Sequence, residues 1–201
     1  MRPCDNFLTT RGLLLESHGY TPDPGRVRVT DRGITVYHYT REDRIESVLE
    51  PEGGLWARLP VVSPLPDHAG LYLVEALLDP LPLWMTDSPY FDDLGLRMLR
   101  EYVGDVLLEL TVPTDFPGLY VADYAHVLEC KHIARRGRPA LGLGYDCSSG
   151  HESAQADANS YIPALRYDGG HVAPEMKITR CGAGIAVPSE HIRVCSVQPP
   201  R

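Results

Sequence analysis

Proline and glycine set the tightest limit on what this chain can fold into. Eighteen of each are spread through 201 residues, and neither is comfortable in the interior of a helix or a central strand. Interruption on that scale leaves room for short strands and loops rather than long helices. The length suits one α+β domain with its own core, so residues 1–201 read as a single unit. Within it, 1–30 reads as an N-terminal extension, and 57–70 and 138–150 as variable loops.

Between the interruptions the local patterns are legible. A short leading helix is expected over 7–18 and an edge strand over 26–30. Residues Ile34 to Tyr39 form a β-branched and aromatic run that reads as a strand. Thr40 is then expected to cap a helix carrying Ile45, Val48 and Leu49 at helical spacing, stopped by Pro51 and Gly53-Gly54. A strand over 82–86 leads through Asp87-Ser88-Pro89 into a helix over 90–102, ended by Gly104. The apolar run Val106 to Val112 reads as a central strand. Helices are expected over 124–136 and 152–165, and closing strands over 174–178, 185–187 and 192–197.

Charge narrows the functional classes. The net charge of −8 disfavours a broad phosphate-binding face. Lys131 and Lys177 are the only lysines, and the one basic run, Arg135, Arg136 and Arg138, fits a solvated helix end. No stretch reaches the roughly 18–20 apolar residues of a membrane-spanning helix, so no membrane partner is expected. The first ten residues lack the apolar centre of a signal peptide. The expected address is cytoplasmic, or that of an effector exported without a classical signal.

The five cysteines are odd in number and widely spaced, which argues for reduced thiols rather than a disulfide framework. Cys130, His132, Cys147 and His151 could ligate zinc, but a single residue between Cys130 and His132 is tighter than zinc motifs use, and no metal is expected. Cys147 with His151 or His171 could form a thiol nucleophile and base, though nothing local marks that thiol as activated.

Three separated segments carry the remaining chemistry: Tyr37-His38-Tyr39-Thr40, Trp84-Met85-Thr86-Asp87-Ser88 and Pro174-Glu175-Met176. In this order they resemble the ADP-ribosyltransferase superfamily, in its His–Tyr–Glu branch with diphtheria toxin and the poly(ADP-ribose) polymerases. The resemblance implies a split antiparallel or mixed sheet around an NAD cleft, with short helices. It also implies transfer of ADP-ribose from NAD to a protein or nucleic-acid acceptor, with nicotinamide released. By the same resemblance Glu175 is the catalytic carboxylate and His38 positions the ribose. Tyr39, Thr40, Trp84, Thr86 and Tyr90 complete the NAD contacts. Cleavage at the nicotinamide bond passes through an oxocarbenium-like state, which a fixed carboxylate stabilises. The chain departs from the family at Tyr39, where many members have Gly, and at Gly95, where a second tyrosine is expected. Water as acceptor, which would make an NAD glycohydrolase, needs the same residues, and a fold that binds NAD without catalysis is the remaining alternative. A toxin-like member of this class would also have an inhibitory antitoxin as a partner.

Overall fold

The computed structural model describes residues 27–59, 71–79, 103–104, 106–140, 142, 144, 147 and 156–195. Ten strands run in chain order: β1 (Arg28–Thr30), β2 (Gly33–Thr40), β3 (Gly54–Ala57), β4 (Leu71–Leu77), β5 (Val106–Val112), β6 (Leu119–Asp123), β7 (Ile162–Pro163), β8 (Pro174–Cys181), β9 (Gly184–Pro188) and β10 (Ile192–Cys195). Among the described residues the helices of five or more residues are α1 (Ile45–Leu49) and α2 (Ala125–Arg136). Eight strands form one sheet in the order β10-β5-β2-β4-β8-β6-β7, with β1 beside β2, and β3 and β9 form a second, two-stranded sheet. Every described pairing is antiparallel. The class is therefore α+β, with an antiparallel sheet among the described residues.

Strict alternation on β8 explains how the large sheet is filled. Met176 and Ile178 join Val36, Val74, Leu108 and Leu110 in the main core. The small sheet closes over that core with Leu55 and Val187, and α1 contributes Val48. The residues between them, Glu175, Lys177 and Thr179, leave by the opposite face, as a period of two requires. That face is covered as well, since all three are buried.

Several expectations are met closely. β5 spans the predicted run, α2 begins one residue late, and β2 gains a residue at each end. Gly137 ends α2 in the left-handed conformation and its N–H bonds Ile133 O, a glycine C-cap. Others need correction. Thr40 does not cap a helix; it is buried and paired with Val106 as the last residue of β2, and the short 3-10 turn that follows starts after Arg41. Of the helix expected over 152–165, the described part is a turn at 156–159 that stops before β7, because Pro163 cannot donate an amide to a continuing helix. β3, β4 and β6 were not foreseen, and β3 takes Ala57 from the start of the expected loop. The leading helix, the 82–86 strand and the 90–102 helix lie outside the described residues, as do Trp84, Thr86 and Tyr90.

Candidate active site

The site begins where two neighbouring strands part. β2 pairs with β5 along seven positions, but meets β4 only at Tyr37 opposite Leu77. Beyond that pair β4 turns away, and His38 fills the gap with its ring: Nδ1 lies 2.8 Å from the backbone oxygen of Glu75. A carbonyl can only accept, so Nδ1 carries the proton and donates, leaving Nε2 with a free lone pair. Burial lowers the pKa of His38, more than the bond to Glu75 and the Glu75 charge raise it. The ring is neutral at pH 7.

A cavity of about 500 Å³ opens at this split. His38, Tyr39 and Thr40 line it from β2, Arg44 from the turn after β2, Trp56 and Arg58 from β3 and its end, and Glu75 from β4. Trp56 is 61% exposed, so its ring face is open to a planar group. Arg41 is committed to Asp43 through two hydrogen bonds. Arg44 and Arg58 form no ion pair among the described residues. At Tyr39, where many members of the resembled family have Gly, the backbone does not call for glycine, since no described non-glycine residue has a positive φ. The Tyr39 ring packs with Tyr37, Leu77 and Leu107.

Glu175 stands elsewhere. Tyr37, Leu77 and Glu175 occupy one cross-strand row, so their side chains share a face and His38, one residue on from Tyr37, leaves by the other. Glu175 is buried and is not among the residues lining the cavity. The expectation that Glu175 and His38 open directly into one space is not met. Their link is indirect. The Lys177 ammonium donates to Glu75 Oε1 at 2.8 Å and to Glu175 Oε2 at 3.0 Å, and Asp157 Oδ1 lies 4.0 Å away. Glu75 thus meets His38 through its backbone and Lys177 through its carboxylate.

Two tyrosines complete this buried cluster, and the other lysine reaches it from an exposed position. The Lys177 ammonium sits 5.1 Å from the centre of the Tyr124 ring, and Lys131 donates to the Tyr124 hydroxyl at 2.8 Å. The Tyr161 hydroxyl is hydrogen-bonded to Asp157. Burial pushes Glu175 up to about 7, with Lys177 opposing and the Glu75 charge reinforcing. Burial also raises Glu75, but the charge and hydrogen bond of Lys177 outweigh it and hold this carboxyl below its ordinary value. Lys177 itself is raised well above the ordinary lysine range, because the attraction of Glu75, Glu175 and Asp157 exceeds its desolvation. One ammonium therefore holds one carboxylate firmly ionised and leaves the other near neutrality, an arrangement that suits acid–base work.

Asp123 fixes the approach to Glu175. Its carboxylate accepts from Ala125 N at 3.0 Å, Val172 N at 3.1 Å and Ala173 N at 2.9 Å. The start of α2 and the entry to β8 are thereby tied to the end of β6. Asp123, Glu75, Lys177, Tyr124 and Asp157 all escaped the motif-based reading. The available signal was the pairing of Glu175 with Lys177 at a spacing of two, which places both on one strand face.

The cysteine expectations are overturned. Cys130 and Cys147 form a disulfide, Cys181 is also disulfide-bonded, and Cys195 is free. Cys147 is therefore no free thiol nucleophile in this state, and His171 is engaged with Ser160 O at 2.9 Å. His151 lies outside the described residues. The sulfur pair is accompanied by His126, not His132.

The fold and site define an α+β protein with a cavity of mixed polar and apolar lining at a parted antiparallel sheet. No protein-family model, curated protein or solved structure matches the chain. No described helix is long and apolar enough to cross a membrane.

Proposed function

We propose that the cavity binds NAD and that the protein transfers ADP-ribose from it to a macromolecular acceptor, releasing nicotinamide. The observation that carries this reading is the joint presence of His38, Tyr39 and Thr40 around one cavity with Arg44 and Arg58, two guanidinium groups that form no ion pair among the described residues. Guanidinium groups suit a pyrophosphate through paired, charge-assisted hydrogen bonds. The free Nε2 of His38 accepts a ribose hydroxyl, and Trp56 offers a stacking face to adenine or nicotinamide. The oxocarbenium-stabilising carboxylate belongs to the Lys177-linked pair. Both carboxylates lie on the sheet face opposite His38, and the Glu75 side chain is the more accessible of the two, 31% exposed against 11% for Glu175, so Glu75 is assigned that role while Glu175 sets the charge beside it. Paired cysteines favour the exported alternative for the protein's address over a reducing cytosol.

A second reading has its own support. The withdrawal of Glu175 from the cavity favours a module that binds NAD without cleaving it. Incubation of the protein with NAD, followed by chromatography for free nicotinamide, separates the two. Turnover lost in Glu75→Gln supports the role given to Glu75, and loss in Glu175→Gln alone reverses the assignment. Saturable NAD binding without nicotinamide release selects the module. Absence of both binding and release rejects the NAD reading.

A further inference from the structure

A second cluster of chemistry-bearing side chains lies on the far side of α2, away from the face that meets Lys177. His126 and Cys130 are four residues apart on this helix and so project from the same face. Cys147 is brought to them from seventeen residues downstream of Cys130. The intervening chain is folded back by a buried carboxylate, since Glu129 Oε2 accepts from Ala140 N at 3.1 Å and Oε1 from Gly142 N at 2.9 Å. The Nδ1 or Nε2 of His126 and the two sulfurs all lie within 4.8 Å of one another.

We infer that these three residues form a redox-gated metal site, closed as a disulfide when oxidised and taking a thiophilic divalent cation such as zinc when reduced. A tetrahedral zinc ion lies about 2.3 Å from thiolate sulfur and about 2.0–2.1 Å from imidazole nitrogen, so its two sulfurs stand about 3.8 Å apart. The two sulfurs are joined as a disulfide, and once that bond is reduced, rotation of the two side chains can bring them to the spacing of a metal site. The imidazole already stands within ligand-to-ligand range. Three protein ligands leave a fourth tetrahedral position for water.

The chemistry balances with a thiol or phosphine reductant. Two electrons from the reductant break the sulfur–sulfur bond: a dithiol supplies the two protons that complete the thiols and leaves as its disulfide, whereas with a phosphine one water supplies both protons and the oxygen of the phosphine oxide. The cation then displaces both thiol protons, while His126 binds through a neutral ring nitrogen. Cys130 and Cys147 are each half-buried, so a small reductant can reach them. His126 is buried, which excludes most competing water from the third ligand.

Cobalt(II) is a suitable probe, because thiolate-to-cobalt charge transfer and the d–d bands of a four-coordinate site appear only on ligation by sulfur in that geometry. The full chain is titrated anaerobically before and after phosphine reduction, and zinc stoichiometry is read by native mass spectrometry. One equivalent is expected in the reduced protein, with two protons released per ion, and none in the oxidised protein. Cys147→Ser should abolish the charge-transfer band, and His126→Ala should weaken uptake by tenfold or more. Cys181→Ser and Cys195→Ser should each retain it, which assigns the metal to this cluster. Circular dichroism establishes that each variant is folded. No uptake by the reduced wild type, equal uptake by the oxidised protein, or undiminished uptake by Cys147→Ser overturns the inference.

Discussion

Lys177 is the residue on which the polar interior turns. Its ammonium is 1% exposed and answers three carboxylates. Removing one partner from a buried ionic group leaves the others uncompensated, which costs about 3–5 kcal/mol. Lys177→Met should lower unfolding stability by that order, measured by urea denaturation at pH 7. Glu175 gives a prediction in pH. Its ordinary value is 4.5 and the folded protein raises it to about 7. Between those values the folded state holds more protons than the unfolded chain, so this group's contribution to stability falls as pH rises. Glu175→Gln removes that slope. Relative to wild type, the variant should gain stability from pH 4.5 to 7 and hold level above, as read from denaturation midpoints across the range. Glu75 acts in the opposite sense, since its lowered value makes stability fall as pH drops below 4.5. Under the proposed NAD reading, Arg58→Ala should raise KM for NAD about tenfold or more, because a charge-assisted hydrogen bond contributes about 1.5–3 kcal/mol. Nicotinamide-release kinetics measure it.

At the scale of elements, the strand pattern of β8 was readable and its meaning was not. The sequence Glu175-Met176-Lys177-Ile178-Thr179 alternates polar with apolar residues, which ordinarily describes a strand with one wet face. Here α2 and the 156–161 segment place Tyr124, Asp157 and Tyr161 over the polar side, so both faces are dry. A single strand pattern does not encode what a distant helix covers. β2 was clear because β-branched and aromatic residues fill it, whereas β4 was missed behind the proline-rich stretch that precedes it. The parting of β2 from β4 had no local signal, because it depends on the side chain of His38 taking the place of a ladder partner. Gly104 marks the far end of β2. It has φ of +98°, and a Cβ there would stand 2.2 Å from the backbone oxygen of Thr40. Gly104→Ala should destabilise the fold by about 1–3 kcal/mol and disturb the cavity rim, since neighbouring Val103 lines it. Urea denaturation together with NAD titration checks both effects.

Across the whole molecule, the large sheet separates two kinds of interior. One face is apolar and closed by the small sheet, and the other carries the charged cluster beneath α2. The Cys130–Cys147 bond holds the return of the chain against the outer side of that helix. Closing a loop of this length contributes about 3 kcal/mol, so a Cys130→Ser, Cys147→Ser double variant should lose that much in denaturant unfolding. The distribution of lysine has a practical consequence. Lys131 is exposed, whereas Lys177 is enclosed, and these are the only two side-chain amines in the chain. An amine-acylating reagent will mark position 131 in the native protein and reach position 177 only when the interior opens. Mass spectrometry of the two tryptic sites thus yields a labelling ratio that serves as an intrinsic clock for global opening, with no dye or engineered tag.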